Sequence, residues 1–393
     1  MVIAPKKTRH GSKGAYARVL TMALAGAALA GFTAQTAAAE SRSFAFNMFY
    51  PATYTQPDNC PEGVNPTSHE IFRNALITTG TPPEKAEHII EEAVKQNGNA
   101  GYKPITERGK IGEKQVNAYT NPLSVPDPGF KTAVGKFALG FNLDGRGADD
   151  ASAFENPWTH EKGVDNQLFR IYGCLANYQA TPPAYPNYPL ETWEMVRDTM
   201  PAWLITVTAD DFSKDGEVTI SVDRALNHLL RDAKGHARSL GTFRIDGDPR
   251  SHNVFKGKIE KGVITAAAPK LYFLGDQFFF PDFDFTQVKM TMEFEEDGHA
   301  HGMVGGYLPW LPIYYQHGQN GLNAETFRGM DMVGLYRALM RVADADPDPA
   351  TGQNRRMSTA WLMELIPVFT VPADGGPGKV ASDTATIRSA RAP

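Results

Sequence analysis

A chain of 393 residues with 42% hydrophobic side chains can fill a substantial core without a dense disulfide framework. Its formal net charge is −5 and it carries no block of lysine and arginine, so no nucleic-acid partner is expected. The length suits two domains, or one large all-β domain with additions, and no internal repeat is found.

Residues 1–39 read as a signal peptide. Lys6, Lys7, Arg9, Lys13 and Arg18 precede an apolar run from Val19 to Phe32, and Ala37-Ala38-Ala39 supplies small residues for cleavage before Glu40. Losing this segment removes five basic residues and no acidic one, which makes the remaining chain more acidic. The run is short for a membrane span and no later segment is long and apolar enough to make one, so the expected product is periplasmic or secreted and not transmembrane. Cys60 and Cys174 are the two cysteines, and an oxidising compartment predicts one disulfide between them. Two buried free thiols are the alternative.

Residues 40–132 form an N-terminal arm. Alternation over Ser43–Tyr50 predicts a strand, and a proline-rich loop follows. Ser68 is placed to cap a helix through Thr78. Thr81-Pro82-Pro83-Glu84 has the pattern of a capping box with proline at the first helical position. Ala86, Ile89, Ile90, Ala93 and Val94 mark the buried face of that second helix, which Asn97-Gly98 should end. Residues 99–132 read as a loop or extended arm.

Residues 133–308 carry a β pattern. The runs 134–143 and 168–174 read as strands either side of an oxygen-rich loop. Trp203–Ala209, Glu217–Asp223 and residues 287–295 are further strands, with shorter ones over 251–274. Lys214-Asp215-Gly216, Glu260-Lys261-Gly262 and Asp297-Gly298 separate them as turns. Leu226–Ala233 reads as an inserted helix. Residues 309–372 read as a helical region packed on the core, with one helix over Gly329–Ala343. Its last helix, Thr359–Ile366, would be capped by Ser358 and stopped by Pro367. Residues 373–393 are expected to be a disordered tail. The fold class is therefore mainly β: an antiparallel sandwich or barrel with an N-terminal helical hairpin and two C-terminal helices.

Four groups of residues could carry chemistry. Asn142, Asp144, Asp149, Asp150, Asp165, Asn166 and Gln167 lie between or beside the runs 134–143 and 168–174. If those runs neighbour one another, Asp144 meets Asp165 and Asn166 at one edge. Asn142, Asp144, Asp165 and Asn166 then suit calcium, which takes six to eight oxygens. Turn capping, with Arg146 or Lys162 neutralising the acids, needs no ion, and catalytic carboxylates are the third reading. His299-x-His301 places two imidazoles on one face of a strand, where a transition metal could be held with Glu295 or His317 as third ligand. This pair is similar to the HxH of the cupin β-barrels, although the glutamate that follows it there is missing. Solvated histidines beside an Asp-Gly turn are the alternative.

Asp344-x-Asp346-x-Asp348 has the start of a calcium-loop spacing, but Pro349 and Arg355 replace the required Gly and Glu, so a stiffened helix terminus is the better account. The aromatic run from Phe278 to Phe285 reads as core or interface, with a ligand groove as the rival. No G-x-S-x-G, H-E-x-x-H, Walker or G-x-G-x-x-G motif occurs.

The blocks Phe141-Asn-Leu-Asp-Gly145, Gly163-Val-Asp-Asn-Gln-Leu168 and Gly173-Cys174 resemble a set of exported bacterial proteins without an established activity. The similarity takes in Met200–Trp203, Gly305–Tyr307 and Gly334–Tyr336, most of the chain after the leader. It implies export and one co-folded unit, and it transfers no catalytic residue. The expectation is an exported, non-enzymatic protein that binds a small ligand or an envelope partner, with calcium fixing the 142–167 loop. The rivals are a metal-dependent enzyme using His299, His301 and nearby carboxylates, and an assembly subunit with the aromatic run as interface.

Overall fold

The computed structural model describes residues 39–96, 102–147, 150–275, 281–319 and 322–372. Residues 1–38, which hold all but the last residue of the expected signal peptide, Asn97-Gly98, Asp149, Phe278–Phe280 and residues 373–393 lie outside the described residues. Eight antiparallel strands close into a barrel: β1 (Glu40–Pro51), β2 (Trp203–Ala209), β3 (Gly216–Arg224), β4 (Asn253–Glu260), β5 (Val263–Phe273), β6 (Phe283–Phe294), β7 (Ala300–Pro309) and β8 (Asn354–Val371). From β2 to β7 each strand pairs with the next in this series. β8 pairs with β7, and closure comes when β1 pairs with β2 on one edge and β8 on the other. The fold is therefore a barrel rather than a sandwich.

Alternation sets which side chains fill it. Trp203, Ile205 and Val207 of β2 are buried with Val218, Ile220 and Val222 of β3 in the main core, while Thr206 and Thr208 stay partly exposed. β1 departs from strict alternation. A register shift between Phe46 and Met48 lets both Phe46 and Phe49 enter the core and leaves Tyr50 beside an outer cleft. Phe49 stacks on Trp361 of β8 at 5.1 Å and meets Trp203 edge-on at 5.5 Å. Phe273, Phe283 and Phe285 complete the packing, so side chains occupy the interior.

Three sequence-based expectations are corrected. Thr359–Ile366 belongs to strand β8, not to a last helix. Both faces of this strand are covered, so apolar residues occur at odd and even positions and mimic a helical stripe: Trp361, Met363 and Leu365 join the core while Leu362 and Ile366 pack outside. Leu226–Ala233 is irregular, because Leu226 and Leu230 remain exposed and the Asn227 side chain binds the backbone of Thr242 and Arg244 instead. The runs 134–143 and 168–174 are not strands. The first makes isolated bridges only, and the second is mostly helix α4.

The helices in chain order are α1 (Ser68–Thr78), α2 (Pro83–Gln96), α3 (Lys103–Thr106), α4 (Gln167–Tyr172), α5 (Asn187–Arg197), α6 (Trp310–Gln319), α7 (Leu322–Arg328) and α8 (Met332–Val342). The α1–α2 hairpin forms as the sequence predicts, with the cap at Thr67, one residue before Ser68, and Glu70 closing the capping box. α4, α6 and α8 pack against β8. Buried ionisable groups lie in this helical layer: His317 meets Tyr172 and Arg328, and Glu325 binds Tyr119 and the Met332 N–H. No helix among the described residues is long and apolar enough to cross a membrane.

Cys60 and Cys174 form a disulfide across 114 residues, with Cα atoms 5.7 Å apart. Replacing both with serine should lower unfolding free energy by up to about 4–5 kcal/mol on chain-entropy grounds, measured by urea titration. Unchanged stability would show that this link does not constrain the unfolded chain. A second expectation concerns Glu325. Burial, and then nearby Asp331, push its carboxyl up to about 8. The folded state thus favours the protonated acid, and its contribution is full below the usual carboxylate range and lost as pH rises through the folded value. Glu325→Gln should flatten the fall in melting temperature between pH about 5 and about 9. An unaltered pH profile would rule out Glu325 as its source.

Candidate functional site

The outer faces of β6, β7 and β8 form the floor of a cleft of about 730 Å³. Met303 and Leu362 supply apolar floor, and Phe141, Trp158, Pro182 and Pro183 come from the loops flanking it. The largest aromatic groups are Tyr50, Phe141 and Trp158. Adjacent strands bring a polar row to the floor: His301 of β7 lies opposite Glu293 of β6 and Glu364 of β8. The Glu364 carboxylate accepts a 2.5 Å hydrogen bond from Tyr185, whose ring packs edge-on against Tyr50. Burial and then Glu364 hold the Tyr50 phenol far above its ordinary value, so it is a neutral hydroxyl here.

The loop beside the floor is fixed by buried hydrogen bonds rather than by strand pairing. The Asp165 carboxylate accepts the N–H groups of Leu143, at 2.6 Å, and Asp144, at 3.2 Å. The Asp165 N–H returns a bond to the Phe141 carbonyl. Asn166 caps α4 through the Phe169 N–H and donates to the carbonyls of Ala52 and Leu139. The Gln167 N–H reaches the Ser358 hydroxyl of β8. Phe141 then lies against Gly305 of β7, where an added Cβ would come within 2.6 Å of its ring. Gly163 allows another close approach, since a Cβ there would stand 2.4 Å from Gly147 Cα.

Of the sequence candidates for calcium, Asp144 and Asp165 come together, joined by Asp150, with one oxygen from each within 4.8 Å of the others. Such a group could hold a metal ion. Arg146 already pairs with Asp144 and, at 2.7 Å, with Asp150. Asp165 is pushed up to about 6 by burial, with Asp144 and Asp150 adding to the rise. Asn142 Oδ1 accepts the Gly145 N–H, and Asn166 spends its side chain on the backbone as described above. Asp344 is half-buried and accepts from the Ser358 N–H and hydroxyl, Asp346 pairs with Arg355, and Asp348 caps the following turn.

His299 and His301 both reach the cleft. Their Nδ1 atoms face Asp297 at 2.9 Å and Glu295 at 3.0 Å. His317 lies apart from them in the helical layer. Phe283 and Phe285 of the aromatic run are core residues. Sequence reading missed Glu364, Tyr50 and Tyr185. One signal was available for the first: Glu364 is the lone carboxylate inside the apolar stretch from Ala360 to Val368.

Gly305→Ala should displace Phe141 and destabilise the protein by about 1–3 kcal/mol, as overpacking typically does. Adding Phe141→Ala should recover part of that loss, and denaturant unfolding of the two single variants and the double variant gives the coupling. Strict additivity would show that the two residues do not press on each other.

No family model, curated protein or solved structure matches the chain.

Proposed function

We propose that the protein is an exported binding protein whose small ligand occupies the cleft on the outer face of β6–β8. The cleft carries this reading. It lies within the size range of small-molecule sites, its floor is largely apolar, and a few polar groups converge on it. The filled barrel interior turns ligand chemistry outward. The disulfide and the N-terminal targeting pattern support a periplasmic or secreted location. Met303→Trp should fill the floor. Ligands found by thermal shift against the unaltered protein should lose their effect on this variant while its own melting temperature holds. Ligands that stabilise both proteins equally would place binding elsewhere.

The convergence of Asp144, Asp150 and Asp165 favours one accessory role, calcium binding that stiffens the adjoining loop. Arg146 competes for the same oxygens. Chelator should lower the melting temperature, calcium should restore it, and Asp144→Ala should abolish the response. In Arg146→Ala the calcium response should grow. If chelator and calcium change neither protein, Arg146 alone neutralises the cluster.

A further inference from the structure

We infer that the cleft's ligand is a small organic cation with an apolar portion, its ammonium-type group seated against Glu364 and Glu293. This rests on the cleft being the binding site. Four carboxylates line it, Glu161, Glu293, Glu295 and Glu364, and none of its described lining residues is lysine or arginine. Glu295 is engaged by His301. Glu364 is half-buried and held by the neutral Tyr185 hydroxyl. Among the described residues, neither Glu293 nor Glu364 has a lysine or arginine ion-pair partner. A half-buried carboxylate gains most from a cation brought by the ligand, while an anionic ligand would meet four like charges.

The apolar and aromatic surfaces fit the rest of such a molecule. Met303 and Leu362 contact its hydrocarbon, and the exposed indole of Trp158 at the cleft can attract a cation through its ring quadrupole. The neighbouring surface makes the charge choice local. A shallow trough also lined by Phe141 carries Lys256, Lys258 and Lys289 with a single acid, Glu217, so its lining is net basic while that of the cleft is acidic. An organic cation fits better than a metal ion. Both histidine Nδ1 atoms face carboxylates, and no trio of donor side chains in the described part of the cleft converges within 4.8 Å.

Three probes of matched chain length separate charge from hydrophobicity: octylammonium, octanoate and n-octanol, titrated calorimetrically into the purified protein. Octylammonium should bind at least about ten-fold more tightly than either of the others. Glu364→Gln should remove most of that preference while octanol affinity stays unchanged, and Glu293→Gln provides a second variant should the first fail to fold. Equal binding of all three probes, blocked by Met303→Trp, would overturn the charge assignment and leave the cleft reading standing. Binding of all three that Met303→Trp leaves untouched would overturn both. Saturation by zinc alone, with no octylammonium binding, would also overturn the inference and return the cleft to His299 and His301 as metal ligands.

Discussion

The pairing of β1 with β8 is the constraint on which the rest depends. It joins residues 43–51 to residues 361–368, so closure needs contacts between segments far apart in sequence. In exchange it removes the two free edges that an open sheet of these strands would expose. It brings Phe49 onto Trp361 and seals the aromatic interior. It also builds the cleft, because Tyr50 faces Leu362 and Met48 faces Glu364 in this register. A one-residue slip would turn Glu364 inward and Met363 outward, burying a carboxylate among aromatic rings. The hydrophobic interior and the acidic exterior therefore specify the same register.

Around this barrel the chain uses a second kind of construction. The described residues between Gly140 and Asp165 have little regular structure, so their backbone polar groups need individual partners. Asp165 and Asn166 supply several of them, and the Cys60–Cys174 bridge fastens the chain just beyond α4 to the region following β1. Asp165 is consequently a poor candidate for a freely available ligand. One of its oxygens already accepts two N–H groups, and its raised pKa reflects how costly its charge is at that depth. Arg146 already occupies Asp144 and Asp150, so an ion at the cluster competes with it for their oxygens.

The β strands were legible where one face was wet. β2 and β3 alternate, and turn residues mark the ends of β3, β4 and β6. β8 was illegible for the opposite reason: covered on both sides, it lost the period that separates strand from helix. α4 misled because all its apolar side chains are buried and Asn166, rather than an amphipathic stripe, fixes its start. The convergence of Asp144 and Asp165 was expected from a pairing of strands that do not form; hydrogen bonds from the loop backbone to Asp165 bring the two together instead. The cleft itself was hidden, since its floor draws Glu293, His301 and Glu364 from three strands whose adjacency is a property of the closed sheet.

That row also explains why the acids are tolerated. Glu293, His301 and Glu364 project outward at matched positions on adjacent strands, so each is close to water or to a polar neighbour. The Tyr185 hydroxyl donates to Glu364, while His301, between the two carboxylates on the middle strand, turns its Nδ1 to Glu295. Neither contact sets a lysine or arginine beside Glu293 or Glu364. A lysine on one of these outward positions would compensate the acids, as Lys258 does for Glu260 on β4. The cleft instead sets carboxylates that lack a lysine or arginine partner beside partly exposed hydrocarbon at Met303 and Leu362, and one amphipathic cation would pair with the first while covering the second.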